Sequence, residues 1–183
     1  RYQKLLELLH SQDYGWNPAD PGDRVVIFTE RIETMKYLAE RLRQDLNLKA
    51  NAIQEISGGM SDAEQQRVVE DFGRTESPVR VLVASDVASE GLNLHYLSHR
   101  LIHFDIPWSL MVFQQRNGRI DRYGQQKRPD IRYMLIESGN KRIKGDMRII
   151  EILITKEEQA LKNIGDPSLL LGKFTIEDEE LVV

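Results

Sequence analysis

Short apolar runs and longer amphipathic stretches succeed one another along the chain. Leu5, Leu6, Leu8 and Leu9 fall at near-helical spacing within Arg1 to His10 and predict a short helix. Ser11 to Asp23 holds Gly15, Pro18, Pro21 and Gly22 and reads as a loop. Val25 to Thr29 is a continuous β-branched and aromatic run, the pattern of a strand covered on both faces. Ile32 to Leu46 then puts Met35, Leu38, Ala39, Leu42 and Leu46 on one helical face. Ala50 to Ile56 predicts a weaker second strand, and Ser57 to Met60 a turn. Ser61, with Glu64 three residues on, is a capping-box pattern that opens a helix to about Phe72. Val79 to Ala84 and Arg100 to Phe104 predict the third and fourth strands. Pro107 opens a segment predicted as helix to about Arg122, and Ile131 to Ile136 is the fifth strand. Met147 to Ile164 predicts a long terminal helix with Ile150, Leu153, Ile154 and Leu161 inward, stopped by Gly165 and Pro167.

Strands alternating with helices imply βαβ crossovers and an α/β architecture, an open parallel sheet with helices on both faces. In such a sheet ligands sit at the carboxyl ends of the strands. Thr29, Ser57 to Gly59, and Ser85 with Asp86 fall at those ends. A length of 183 residues suits one domain with a full core. The expected division is one lobe over 1–165 and an acidic tail over 166–183, where Glu177, Asp178, Glu179 and Glu180 stand together. The longest uncharged apolar runs are a few residues, against the ~20 that a bilayer span requires. There is no cysteine, which excludes disulfides, thiolate zinc sites and a cysteine nucleophile, and fits a reducing, cytoplasmic setting. Arg1 to Lys4 carry no signal-peptide pattern and no initiator methionine, and the chain reads as a fragment of a larger protein.

The net charge is −4, yet Gln114 to Arg132 carries Arg116, Arg119, Arg122, Lys127, Arg128 and Arg132 against Asp121 and Asp130. A basic face on an acidic chain is therefore possible. Within Gln115 to Arg122, a helix would project Arg119 and Arg122 to one side. Two guanidiniums on one face repel each other unless an anion lies between them. A polyphosphate suits them because guanidinium binds phosphate oxygens bidentately and keeps its charge. Gly118 removes a side chain beside them. A solvated helix face salt-bridged to Asp121 accounts for the same residues. Ser85 to Asn93 places hydroxyls, Gly91 and exposed amides after a buried strand, either a phosphate or ribose contact or a plain βα turn capped by Ser85 or Asp86. Ser57-Gly58-Gly59-Met60 is either a phosphodiester cradle or an ordinary turn. His95, His99 and His103 recur every four residues without a helix across them, which argues against a metal site and for core or surface histidines. Trp108, after Pro107, is expected to pack. There is no GxxxxGK[ST] phosphate loop and no acidic pair after an early strand to hold magnesium, so most of any nucleotide site would lie elsewhere.

In this order the motifs resemble the second RecA-like lobe of superfamily-two helicases. The nearest resemblance is to Swi/Snf-type ATP-dependent DNA translocases of the bacterial and archaeal RNA-polymerase-recycling kind, over roughly Arg1 to Glu137. Val25 to Glu30 looks like motif IV. Ser57 to Met60, with Arg67 downstream, looks like the segment that follows it. Ser85 to Asn93 looks like motif V, and Gln115 to Arg122 continued by Tyr123-Gly124-Gln125 looks like motif VI. The Gly-Gln ending is typical of the Swi/Snf group. Asp86, Ser89 and Glu90 depart from that group's Arg-Ala-Gly-Gly run.

The resemblance implies a three-layer RecA-like fold and a role within an ATP hydrolase. Arg119 and Arg122 would be arginine fingers to the γ-phosphate of ATP, bound with magnesium mainly by a separate N-terminal lobe. Gln115 would help position that interface, and Gly91 and Asn93 would lie near the nucleotide sugar. Thr29, Gly58 and Ser85 would touch the backbone of double-stranded DNA. The implied partners are DNA, the N-terminal lobe, and RNA polymerase or another complex, with no membrane. The isolated chain would not hydrolyse ATP. A non-catalytic module binding nucleic acid or protein, and an RNA helicase lobe, are the alternatives.

Overall fold

The computed structural model describes residues 1–86, 93–136 and 145–163. Five strands, β1 (Arg24–Thr29), β2 (Ile53–Ile56), β3 (Val81–Ser85), β4 (Ser98–His103) and β5 (Asp130–Tyr133), form one sheet in the order β2-β3-β1-β4-β5. Every neighbouring pair is parallel. The helices are α1 (Tyr2–His10), α2 (Ile32–Asp45), α3 (Asp62–Gly73), α4 (Leu110–Asn117) and α5 (Gly145–Asn163).

The apolar run of β1 suits the centre of the sheet: all six of its residues are buried, as are all five of neighbouring β3. Alternation along the strands divides the core in two. Val25, Ile27, Val81, Val83 and Ile102 face α1 and α2, where Leu5, Met35, Leu38 and Leu42 meet them. Val26, Phe28, Leu82, Ala84 and Leu101 face the other way, onto Phe72 of α3 and Ile120. A third cluster joins Leu110 and Phe113 of α4 to Ile150 and Leu153 of α5. The apolar stripe predicted for α2 is buried at every position. The expected capping box is also present, with Ser61 Oγ accepting from the Glu64 amide and Glu64 accepting from the Ser61 amide.

Two buried arginines fasten the periphery to this frame. Arg24 donates to the carbonyls of Pro21, Asp71, Phe72, Arg74 and Ser77, and so satisfies the C-terminus of α3, where a positive charge also opposes the helix dipole. Burial lowers its pKa to about 10. Arg100 of β4 donates to Tyr14 and Gly15 carbonyls and to the Asp23 carboxylate at 2.6 Å, and thereby ties the 11–23 loop to the sheet.

Three expectations are corrected. The helix predicted from Pro107 to Arg122 is only α4, Leu110 to Asn117, capped by Ser109. Gly118 ends it, and Arg119 to Arg122 continue as turns. Ile154 of α5 is 41% exposed, because the helix packs along a narrow stripe through Ile150 and Leu153. Trp108 does not bury its ring and is 49% exposed. The acidic tail and Leu161 lie outside the residues whose side chains are described.

Candidate functional site

The chain runs from central β1 out to β2, returns through β3, and crosses to the other side of β1 as β4. The direction of winding changes beside β1, and a crevice at the carboxyl ends of the strands follows from that change. Thr29 and Ser85 stand there side by side as register partners, both buried. Asp86 follows Ser85, and Asp105 follows β4.

These strand ends are joined by a side chain that sequence reasoning placed only within the basic run. Arg116, in the last turn of α4, is 0% exposed. It grips Asp86 bidentately at 2.6 and 2.7 Å, donates to the Asp105 carbonyl at 2.9 Å and its carboxylate at 3.3 Å, and reaches His103 Nδ1 at 3.3 Å. Its guanidinium also lies over the Phe28 ring. Asp105 is shared: it accepts from Thr29 Oγ1 at 2.5 Å and from the Glu30 amide at 3.0 Å. One buried cation thus connects the ends of β1, β3 and β4 with α4. Its signal was the helical stripe itself, since Val112, Phe113 and Arg116 share the inward face.

The electrostatics follow from this cation. His103 is buried, clustered with the Phe113 and Tyr133 rings, which also meet each other, and its Nε2 bonds Asn117 Oδ1 at 2.9 Å. With Nδ1 facing the Arg116 donor, the ring is neutral. Burial first, and Arg116 second, push its pKa down to about 3. Glu30 is shifted upward by burial and by Asp105 and Asp86. Among the described residues no group of three or more His, Asp or Glu could hold a metal ion.

Beyond Gly118 the chain leaves the helix and crosses the sheet face toward the start of β4. Backbone bonds from Arg119 to Arg116 and from Asp121 to Asn117 keep its first residues in tight turns. Ile120 anchors it, fully buried among Val26, Leu82 and Leu101. Arg119 is half-buried and Arg122 exposed. The two arginines therefore sit on turns about a buried isoleucine, not on the helical spacing expected. Arg122 Nη1 donates to Asn93 Oδ1, so the structure brings together two of the expected site residues from distant parts of the chain. His95 is buried beside them, and burial and Arg122 both lower its pKa.

The remaining expected residues are more dispersed. Gln115 is half-buried on α4, next to Arg116. Gly58 is exposed in the turn after β2, which Gln65 steadies by donating to the Ser57 and Met60 carbonyls. Thr29 is fully buried with its hydroxyl donated to Asp105, so a backbone phosphate there would have to displace that bond. Gly91 lies outside the described residues.

Residues 1–124 match the family of the helicase conserved C-terminal domain. The RNA polymerase-associated protein RapA of Vibrio campbellii (strain ATCC BAA-1116) is 33% identical over 110 residues, 60% of this chain and 11% of that protein. RapA of Vibrio vulnificus (strain YJ016) is 32% identical over 131 residues, 72% of this chain and 12% of that protein. The chain therefore spans roughly a tenth of the length of these relatives. Among solved structures, the C-terminal part of the Fun30 ATPase domain superposes with a TM-score of 0.61 at 18% identity, over 83% of this chain and 43% of that one. The E. coli DEAD-box protein SrmB, solved with regulator of ribonuclease activity A, gives 0.55 at 27% identity, over 73% of this chain and 69% of that one. The parallel sheet with its flanking helices is a RecA-like helicase C-terminal fold.

Proposed function

The chain belongs to the family of helicase conserved C-terminal domains, and from that premise we propose that it is the second RecA-like lobe of an ATP-dependent DNA translocase or helicase of the Swi/Snf type. The observation that supports this most is the segment after α4. It carries Arg119 and Arg122 on tight turns, pinned by buried Arg116 on one side and buried Ile120 within it. Phosphoryl transfer is mostly positioning and charge neutralisation, and an arginine finger contributes about 10³ to 10⁵ in rate. ATP with magnesium, held mainly by the N-terminal lobe of the parent, supplies the phosphoryl group. Arg119 and Arg122 approach it when the lobes close, Arg122 leaving Asn93 to do so. Gln115 orients that face, and Asn93 with Gly91 borders the nucleotide sugar. The exposed turn at Gly58, with Thr29 and Ser85 at the strand ends, takes the nucleic-acid backbone. Alternate closure and opening moves that grip along the duplex. The likeness to RapA supports a cytoplasmic setting and RNA polymerase, or a comparable complex, as partner.

Arginine substitution in the full-length parent tests this reading. Arg119→Ala and Arg122→Ala are expected to lower ATP turnover at least a hundredfold while ATP affinity changes only a few-fold, because the finger meets charge that develops in the transition state. Lysine at either site rescues poorly, since an ammonium lacks the bidentate fork. The lobe alone shows no turnover. DNA-stimulated turnover near normal in both alanine variants removes the finger assignment and leaves a non-catalytic module. A second reading is an RNA helicase lobe; turnover stimulated by RNA and not by duplex DNA would select it.

A further inference from the structure

Arg122 is exposed, its guanidinium rests on Asn93, and past Asp121 the next backbone bond of the segment runs from the Gln125 amide to the Arg122 carbonyl. The turn that carries Arg122 needs a further support. Three residues on, Gln125 uses one side chain to close the segment. Its Nε2 donates to the carbonyls of Ile120 at 3.0 Å, Ser98 at 3.0 Å and His95 at 3.3 Å. Its Oε1 accepts the Lys127 amide at 3.1 Å, and its own amide donates to the Arg122 carbonyl at 3.1 Å. The three carbonyls come from the finger segment itself, from the first residue of β4, and from the stretch leading into β4 that also carries Asn93, the residue on which Arg122 rests. Gly124 adopts φ +96°, the left-handed region that favours glycine, and lets the chain turn against His95; a Cβ there would meet His95 Nε2 at 3.5 Å.

We propose that Gln125 is a positioning residue for Arg122: its carboxamide holds the arginine-bearing turn against the start of β4, so that Arg122 meets the phosphate in one geometry. Only a primary amide of this length fits. It presents two N–H groups on one side to three carbonyls and an oxygen on the other to an amide. A glutamate in the same place has acceptors only, and would set a negative oxygen against three carbonyl oxygens. The inference rests on the arginine-finger reading and goes beyond it by naming the residue that sets the finger's aim.

The test is a double-mutant cycle in the full-length parent, with Gln125→Glu, Arg122→Ala and the pair. Gln125→Glu should lower kcat about tenfold to a hundredfold, the effect of misplacing a catalytic group by about an ångström, with KM for ATP changed less than about threefold. The double variant should be no slower than Arg122→Ala alone, within about twofold, because Gln125 has nothing left to position. Fold effects that multiply in the double variant overturn the proposal and make Gln125 an ordinary structural residue. So does a kcat for Gln125→Glu equal to the parent's. Should Gln125→Glu melt too low to assay, Gln125→Met keeps the shape, removes the same donors, and is read by the same cycle. Arg122→Ala with normal turnover overturns the finger reading itself, and this inference with it, a result distinct from a slow Arg122→Ala beside a normal Gln125→Glu.

Discussion

Arg116→Met removes the one cation that joins three strand ends to α4. In the native chain it makes two short bonds to Asp86, two contacts with Asp105 and one with His103. Bonds of this charged kind contribute about 1.5–3 kcal/mol each when counted singly. They do not add, because burying the guanidinium itself is costly. The larger effect is what the substitution leaves behind: two carboxylates, 18% and 19% exposed, that both lose the Arg116 counter-charge. Removing one partner of a buried ion pair typically costs about 3–5 kcal/mol. Partial access of water to both acids places this case near about 3 kcal/mol. For a chain of this size each kcal/mol moves Tm by about 2–4 °C, so the variant should melt about 6–12 °C lower. Arg116→Lys keeps the charge without the fork and should lose about half as much. Adding Asp86→Asn to Arg116→Met should recover part of the loss, because the unpaired charge is the source of the cost. Thermal melts of the four proteins at neutral pH, with exposed Arg128→Met as control, read all of this. An Arg116→Met protein melting within about 2 °C of the parent, or no recovery on adding Asp86→Asn, would refute the reasoning.

Arg24→Leu should destabilise by about 2–4 kcal/mol, since five carbonyls lose their donor and the C-terminus of α3 loses its positive charge; amide exchange should speed up first around Phe72 to Ser77, and uniform or unchanged exchange would count against this. His103 gives the chain an acid sensitivity. Its native pKa, about 3, lies below the 6.5 of the unfolded chain, so the unfolded state binds the proton first and stability falls as pH drops through that window, by about 1.4 kcal/mol per unit. Urea unfolding of the parent and of His103→Gln at pH 7 and pH 5 should show the gap between them shrinking by about 2 kcal/mol in acid, and a gap that stays constant would contradict a neutral buried ring.

Local signals carried far into this fold. A run such as Val25 to Phe28 has no polar face to show to water, so it could only be a central strand, and β1 is buried along its length. The period of α2 and the Ser61–Glu64 box needed only neighbours within a turn or two, and both were legible for that reason. The resemblance of the motifs to helicase C-terminal lobes was legible too, because it rests on residue order alone. What the sequence could not decide was pairing over long separations. The end of α4 at Asn117 depends on Gly118 and on Ile120 finding the sheet face; periodicity alone carried the helix five residues too far. Arg116 differs from Arg119 and Arg122 only in which way it points. That direction is set by Asp86 and Asp105, 30 and 11 residues away, which the sheet order brings to one place. Gln125 is likewise one more polar residue in a basic loop until β4 lies beside it and offers its carbonyls. The sequence by itself determined which residues must be inside and which motifs stand at strand ends, because hydrophobic periodicity is local. Only the tertiary structure decided which charges meet, because a buried ion pair or a shared carboxamide exists only where the fold closes the distance.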